Sequence, residues 1–223
     1  MNTVRLIEDG HFTPSKIIGV GLNYSEHIAE MKSKRSDEPV IFIKPNSALC
    51  RIYEPIAIPL HYGAVHHEIE LAVLIGKTGF EISEAQAMDY VAGFGIALDL
   101  TLRDVQKRAK DQGRPWAIAK GFKNACPISD FFKKEQIQNP QNLELKLIVN
   151  GQLRQKGNTN QMLFKIPELI VYVSKFFPLE TGDILLTGTP SGVGPLQPGD
   201  MVEVEIESIA NVQTKIVGWS HER

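Results

Sequence analysis

Two carboxylates interrupt an otherwise apolar stretch, His67-Glu68-Ile69-Glu70-Leu71-Ala72-Val73-Leu74-Ile75-Gly76. The apolar run predicts a buried strand over residues 68–75. Because residues i and i+2 of a strand point to the same face, Glu68 and Glu70 should project side by side. Two shielded carboxylates without a counter-charge are costly, which points to a divalent cation between them. The same spacing would also suit an edge strand whose glutamates face water and bind nothing.

A third carboxylate, Asp99, ends the apolar strand predicted at residues 91–98. Three carboxylates with no cysteine nearby form an oxygen-ligand set, which favours Mg²⁺ or Mn²⁺, and Ca²⁺ less so, over a soft metal. Two histidines precede Glu68, but the zinc pattern HExxH requires histidine at position 71, which is leucine. Glu68, Glu70 and Asp99 are therefore candidates for a magnesium or manganese site, and the spacing alone favours this site no more than an edge strand whose glutamates bind nothing.

The remainder of the chain is a series of strands with a few helices between them. Further strands are predicted at residues 16–21, 40–44, 143–149, 183–187, 201–206 and 212–217. Helices are predicted at residues 26–31 with Ser25 as the cap, at 83–90, at 102–112 with Thr101 as the cap, and at 166–177, and a mobile loop is predicted at 32–38. Because the strands outnumber the helices and do not follow a βαβ order, we expect a β-rich α+β fold.

Composition limits the class of protein. The 223 residues are 43% hydrophobic and 22% charged, so we expect one domain over residues 1–223, with a short lead at 1–15. A net charge of −2 gives no general attraction to nucleic acid or to anionic membranes. No apolar stretch approaches the roughly 18 residues that a membrane span needs. The two cysteines, Cys50 and Cys126, and the absence of a signal-peptide pattern predict a soluble cytoplasmic protein.

Two helical segments carry candidate polar residues. Arg103 and Gln106 follow Asp99 closely enough to share its side of a helix, and the guanidinium could bind a substrate carboxylate through paired donors. A solvated helix face explains the same spacing. His27 and Glu30 are one helical turn apart, as in a general base oriented by a carboxylate or in an ordinary surface pair.

Two further segments carry weaker signals. Lys120 follows the apolar segment 117–119, which would aim it inward, although most lysines are exposed. The glycine-rich segment 187–194 contains Thr189 but lacks the Gly-Lys-Ser/Thr ending of a phosphate-binding loop, so nucleotide hydrolysis is not supported. Its glycines would let backbone N–H groups approach a carboxylate, or they serve an ordinary turn.

The order and spacing of these motifs resemble the fumarylacetoacetate hydrolase family, most closely its short, single-domain branch of acylpyruvate hydrolases and oxaloacetate decarboxylases. The likeness runs from residue 16 to 217 and rests on six segments: Gly21-Leu22-Asn23-Tyr24 through His27 and Glu30, Phe42-Ile43-Lys44-Pro45, His67-Glu68-Ile69-Glu70, Leu98-Asp99 with Arg103-Asp104, Trp116 through Lys120, and Leu186-Thr187-Gly188-Thr189-Pro190 with Gly192-Val193-Gly194. The resemblance implies a roll of mixed β-sheets with a few peripheral helices, commonly assembled as a homodimer.

The resemblance also implies roles for individual residues. The metal ligands would be Glu68, Glu70 and Asp99, loaded with Mg²⁺ or Mn²⁺. The water-activating dyad would be His27 and Glu30, carried on a segment that closes as a lid. Lys120 would stabilise a developing oxyanion, and the contacts to a bound 2-oxoacid would come from Arg103, Gln106 and Thr189. The expected partner is thus a small-molecule 2-oxoacid, with no nucleic acid and no membrane.

Three functional hypotheses follow. The leading one is metal-dependent hydrolysis of the C–C bond of acylpyruvates, such as acetylpyruvate or fumarylpyruvate, which gives pyruvate and a carboxylic acid through an enolate. The alternative is an oxaloacetate decarboxylase or keto–enol tautomerase that uses the same metal site. The third is a metal-free oxoacid-binding or scaffold protein, which would show no dependence on Mg²⁺.

Overall fold

The computed structural model describes residues 2–31 and 34–219, and most of its regular structure is strand. The strands are β1 Val4–Leu6, β2 Gly10–Phe12, β3 Ile17–Gly21, β4 Val40–Lys44, β5 Leu49–Arg51, β6 Ile56–Pro59, β7 Val65–His67, β8 Ile69–Ile75, β9 Val91–Leu98, β10 Thr101–Leu102, β11 Cys126–Ile128, β12 Phe132–Lys133, β13 Glu144–Val149, β14 Gln152–Asn158, β15 Ile184–Leu186, β16 Gly194–Leu196, β17 Met201–Ile206 and β18 Ala210–Trp219. The α-helices are α1 Ser25–Glu30, α2 Arg103–Asp111, α3 Ala117–Gly121 and α4 Ile166–Ser174. Short 3₁₀ helices cover Asn46–Ala48, Glu84–Tyr90, Lys134–Gln136 and Thr159–Gln161.

Two large sheets dominate the architecture. The larger sheet has the order β4-β3-β15-β8-β9-β11-β5, with β12 also pairing with β9. It is mixed, because β15 runs parallel to β3 and antiparallel to β8. The second sheet has the order β14-β13-β17-β18-β6, and a small three-stranded sheet joins β10, β7 and β16. The predicted β-rich α+β fold with mixed sheets is confirmed.

Strand β8 lies in the interior of the larger sheet, and all seven of its residues are buried. Its alternate residues serve two hydrophobic clusters. Leu71 and Val73 belong to the larger cluster, while Ala72 and Leu74 belong to a smaller one on the other face. The edge-strand alternative is therefore wrong, because β8 is covered on both faces and paired on both edges by β9 and β15.

The helices are short and lie outside the sheets. The longest α-helices, α2 and α4, have nine residues each. In the part of the chain that the structure describes, no helix has both the length and the apolar character needed to cross a membrane. Helix α4 ends at Ser174, three residues before the predicted end. Beyond Ser174 the Phe176 N–H donates to the carbonyl of Val173, three residues earlier, which is the hydrogen bond of a tighter 3₁₀-type turn.

Two predicted helix caps are wrong. Ser25 is the first residue of α1, and the cap position is held by Tyr24, which makes no side-chain capping hydrogen bond. Thr101 is a strand residue paired with His66, and its hydroxyl donates to the Asp99 carbonyl at 3.1 Å. In both places a contact with a distant segment overrides the local capping preference, since Tyr24 bridges to Met162 and Thr101 pairs with His66. The predicted loop at 32–38 falls partly outside the described residues, at positions 32 and 33, and residues 34–39 form no helix or strand.

The central position of β8 leads to a stability prediction. Leu71→Ala should lower the free energy of unfolding by about 2–5 kcal/mol, because the removed atoms leave a cavity between the sheets. The matched control is Leu153→Ala in β14, where the leucine is 55% exposed, and its cost should be about 0.5 kcal/mol or less. Urea denaturation measures both. Equal small losses would contradict the central placement of β8.

Candidate metal centre and substrate pocket

The three predicted carboxylates meet where β8 and β9 lie side by side. Glu70 is in β8, Glu68 directly precedes it, and Asp99 directly follows β9. The antiparallel register pairs Ile69 with Leu98, and the Asp99 N–H donates to the Glu68 carbonyl at 2.9 Å. Each carboxylate offers an oxygen within 4.8 Å of the other two, and all three side chains are buried. The structure thus assembles the acidic triad that the sequence predicted.

Lys120 supplies the nearest positive charge. It lies in α3, is buried, and donates from Nζ to Glu68 Oε2 at 2.8 Å and to Asp99 Oδ2. Burial lowers the pKa of Lys120, but Asp99 and Glu68 outweigh that effect and raise the pKa above its ordinary value. Lys120 is therefore an ammonium that faces inward, as the preceding apolar segment suggested.

Lys44 is a second buried cation at the triad, and sequence reasoning assigned it no role. Its Nζ donates to the carbonyls of Leu100, Lys120 and Ala125 at 3.3, 2.6 and 2.8 Å. It also lies 2.6 Å from Asp99 Oδ1, which accepts no hydrogen bond from the described residues. Since an ammonium has three N–H groups, the carbonyls can use all of them. Lys44 thus compensates the charge of Asp99 through this ion pair with Oδ1.

The two glutamates have opposite titration behaviour. Burial raises the pKa of Glu70 well above its ordinary value, and the charges of Asp99 and Glu68 add to the rise, although Gly188 donates its N–H at 2.6 Å. Burial also raises the pKa of Glu68, but Lys120 and Arg103 outweigh it and hold that pKa below its ordinary value. Glu70 therefore keeps its proton to higher pH than an ordinary glutamate, whereas Glu68 loses its proton at lower pH.

The donor set fits a hard divalent cation. The triad offers carboxylate oxygens alone, which Mg²⁺ and Mn²⁺ prefer. The raised pKa of Glu70 indicates a site that gains from added positive charge. His67 is excluded as a ready ligand through Nδ1, because that atom lies 3.0 Å from Gln155 Oε1. Glu68, Glu70 and Asp99 are therefore the residues that would hold the ion.

Arg103 and Gln106 lie beside the triad. Arg103, the first residue of α2, donates to Glu68 Oε1 and, at 2.7 Å, to Gln106 Oε1. The solvated-face alternative is wrong, because Arg103 pairs with Glu68, whereas Asp104 accepts the Ala64 N–H at 3.0 Å. Arg103 Nε is buried and has no partner among the described residues, so one donor remains free.

His27, which lines the pocket, and Glu30 form a second polar contact. His27 Nδ1 lies 3.0 Å from Glu30 Oε2, and the histidine is only 5% exposed. The other carboxylate oxygen, Glu30 Oε1, accepts the Gly192 N–H at 3.0 Å. The pair is thus held between α1 and the glycine-rich segment rather than lying free on the surface, and Nε2 is the ring nitrogen left for proton transfer.

Thr189 is in the pocket wall, but its hydroxyl is already committed. It donates to the Ile69 carbonyl at 2.8 Å and accepts from Gln155 Nε2 at 2.8 Å. Gln155 is fully buried in β14 and also receives the Ile69 N–H at 3.1 Å. A substrate carboxylate would therefore have to displace the bond to the Ile69 carbonyl, because the hydroxyl has a single hydrogen to donate. No local pattern in the sequence pointed to Gln155.

These groups line one pocket between the sheets and the helices. Its wall consists of Val20, Gly21, Leu22, His27, Met31, Glu68, Glu70, Arg103, Gln106, Lys110, Trp116, Lys120 and Thr189. The only predicted site residues outside this wall are Asp99, which lies beneath it, and Glu30, which orients His27. Lys110 was missed, although its position seven residues after Arg103 on a helix was the available signal.

The chain belongs to the fumarylacetoacetate hydrolase family, since the family described as fumarylacetoacetate (FAA) hydrolase C-terminal matches residues 16–217. It is 53% identical to an oxaloacetate tautomerase of Escherichia coli strain K12 over 194 residues, which are 86% of this chain and 89% of the relative. It is 48% identical over 198 residues to a mitochondrial oxaloacetate decarboxylase of Dictyostelium discoideum, covering 88% of this chain and 91% of that one. The crystal structure of fumarylpyruvate hydrolase from Pseudomonas aeruginosa in complex with Mn²⁺ and pyruvate matches with a TM-score of 0.93 and 33% identity, over 98% of this chain and 96% of the other. The resemblance inferred from the sequence is confirmed.

Removing the Lys44 ammonium should destabilise the fold. Lys44→Met leaves the Asp99 carboxylate short of one buried partner and three carbonyls without their donor, which should cost about 3–5 kcal/mol of unfolding free energy. Lys146→Met, at an exposed pair with Glu144, is the control and should change stability little. Chemical denaturation of both variants measures the difference. A small effect at Lys44 would contradict its place in the charge balance of the triad.

Metal binding should release a proton from Glu70. Because the pKa of Glu70 is raised and the cation competes with the proton, cation affinity should weaken as pH falls, by up to about tenfold per pH unit below that pKa. Calorimetry of Mn²⁺ binding in buffers with different ionisation enthalpies counts the protons. Glu70→Gln should abolish the release, since the amide has no proton to lose. If Glu70→Gln released as many protons as the wild-type protein, the protons would come from a group other than Glu70.

Proposed function

We propose that this protein is a divalent-metal-dependent tautomerase that interconverts the keto and enol forms of oxaloacetate. The observation that carries the proposal is the convergence of the acidic triad, the Lys120 ammonium and the His27–Glu30 pair on one pocket. The 53% identity to an oxaloacetate tautomerase of Escherichia coli supports the choice of substrate. Acylpyruvate hydrolysis, the leading hypothesis from the sequence, has weaker support, because the relatives named for oxaloacetate are more similar to this chain.

Substrate binding would use donors that the protein leaves free. When bound by the triad, Mg²⁺ or Mn²⁺ supplies a Lewis acid that polarises a 2-oxo group. The Arg103 guanidinium lines the pocket and can donate to the adjacent carboxylate of the substrate, and the Gln106 amide lies beside it. Because Arg103 also holds Glu68, the same side chain links the oxoacid to the metal ligands.

Proton transfer would use the two ends of the pocket. His27 accepts a proton from C3 of the keto form at Nε2, and Glu30 stabilises the resulting imidazolium through Nδ1. Lys120 stabilises the negative charge that develops on the 2-oxygen, because its raised pKa keeps it an ammonium. The imidazolium then returns the proton to the 2-oxygen, which completes the enol without loss or gain of atoms.

A second candidate is C–C bond cleavage at the same site. The His27–Glu30 pair could equally take a proton from water, as hydrolysis of an acylpyruvate requires. The structural similarity to the fumarylpyruvate hydrolase of Pseudomonas aeruginosa supports this candidate, and the similarity to the decarboxylase of Dictyostelium discoideum supports loss of CO₂ from oxaloacetate. All three reactions share the developing charge on the 2-oxygen, so the residues alone do not separate them.

Tautomerase activity can be measured directly. Enol oxaloacetate is supplied to malate dehydrogenase and NADH, so that NADH oxidation reports formation of the keto form. The Mg²⁺-loaded protein should accelerate this step, and His27→Ala should slow it by about 10²-fold or more, since the proton acceptor is lost. His11→Ala, an exposed histidine in β2, is the control and should retain full activity.

Parallel assays separate the candidate reactions. Pyruvate release from oxaloacetate reports decarboxylation, and loss of acetylpyruvate absorbance reports hydrolysis. Faster hydrolysis of acetylpyruvate than tautomerisation of oxaloacetate would overturn the proposal in favour of the second candidate. Turnover without any dependence on Mg²⁺ or Mn²⁺ would contradict the metal-assisted mechanism. No turnover of any of these substrates would favour the hypothesis of a metal-free oxoacid-binding protein.

A further inference from the structure

One face of α2 carries a row of cationic and amide side chains. Arg103, Gln106, Lys107 and Lys110 are spaced at i, i+3, i+4 and i+7, which places them on one side of the helix. Arg103 and Gln106 are accounted for by the metal centre. The two lysines lie further along the same face, away from Glu68, and the proposed proton transfer does not use them.

These lysines line a cavity that adjoins the substrate pocket. Its wall includes Lys107 together with His66, Glu30 and Asp111. Lys110 lines both the cavity and the pocket, as Arg103, Gln106 and Met31 also do. Lys110 thus lies at the junction, one helical turn beyond Gln106.

Lys110 is held at this junction by an aromatic ring. Its Nζ lies 5.2 Å from the centre of the Trp116 ring, a distance typical of a cation–π contact. Burial lowers the pKa of Lys110, with a further contribution from Arg103, and Glu68 and Lys120 also act on it. The Lys110 side chain is therefore close enough to the metal centre for the charges of Arg103, Glu68 and Lys120 to affect its pKa.

No carboxylate of residues 2–31 and 34–219 forms an ion pair with Lys107 or Lys110. Glu30 faces the cavity, but its oxygens are engaged by His27 and by the Gly192 N–H. Within the part of the chain that the structure describes, Lys107 and Lys110 thus have no carboxylate at ion-pair distance, although Asp111 lines the same cavity.

We propose that Lys110 binds the distal carboxylate of the substrate and so selects 2-oxo dicarboxylic acids over monocarboxylic ones. This inference rests on the proposed function in one respect, namely that a 2-oxoacid occupies the pocket with its first carboxylate near Arg103. The triad is already balanced by Lys44, Lys120 and Arg103. A divalent cation at the triad would add two positive charges and Lys110 adds a third, so the pocket favours the more negatively charged ligand, and a dicarboxylate carries one negative charge more than a monocarboxylate.

Lys110→Met tests the selectivity. Because tautomerisation does not consume oxaloacetate, calorimetry of the Mg²⁺-loaded protein can measure its dissociation constant alongside that of pyruvate, which lacks the distal carboxylate. Lys110→Met should weaken oxaloacetate binding about tenfold and leave pyruvate binding within about twofold, because only the first ligand loses a charge-assisted hydrogen bond. Lys110→Arg should restore the preference, since it keeps the charge and the contact with Trp116.

Arg108→Met is the matched control. It removes one charge from the same helix, but Arg108 lines a separate groove with Tyr62 and Trp219, so neither dissociation constant should change. Equal weakening of both ligands by Lys110→Met, or no weakening of either, would overturn the assignment. Wild-type protein that binds oxaloacetate without accelerating its tautomerisation would refute the proposed function, and the ratio of the two dissociation constants would still decide the role of Lys110.

Discussion

Mutual repulsion among three buried carboxylates is the constraint on which the rest of the site depends. Glu68, Glu70 and Asp99 offer oxygens within 4.8 Å of one another and away from water, an arrangement that is costly without compensating charge. The compensation comes from three separate elements: Lys44 from β4, Arg103 from α2 and Lys120 from α3. The sheet and both helices must therefore be in place together, which couples the stability of the fold to the integrity of the site.

The three cations are not equivalent. Lys44 is fixed by three carbonyl oxygens and acts as a permanent counter-charge to Asp99. Arg103 and Lys120 contact the triad from the pocket side, where a substrate would also bind. Glu70 has no cationic partner at ion-pair distance among the described residues, and its raised pKa marks the part of the triad where added charge would be most favourable. Lys44 thus serves as a structural counter-charge, whereas Arg103 and Lys120 are the cations that a bound substrate could contact.

The sequence predicted what depends on local periodicity. The apolar runs located β8 and β9, and the two-residue repeat placed Glu68 and Glu70 on one face. Contacts between distant segments were not predictable in this way. Lys44 reaches carbonyls 56 to 81 residues away, and Gln155 contacts Ile69 across 86 residues, so no neighbouring residue signals either role. The sequence also could not predict whether the protein catalyses hydrolysis or tautomerisation, because the same side chains would serve both reactions.

The acidic triad is proposed here as the binding site for one divalent cation. Anomalous diffraction from crystals soaked in Mn²⁺ tests it most directly, since Mn²⁺ can be located without reference to activity. We expect a single strong anomalous peak within bonding distance of one oxygen each from Glu68, Glu70 and Asp99. No peak should lie at that position in Asp99→Asn. A peak elsewhere, or a triad that remains bridged by Lys120 alone at saturating Mn²⁺, would contradict it.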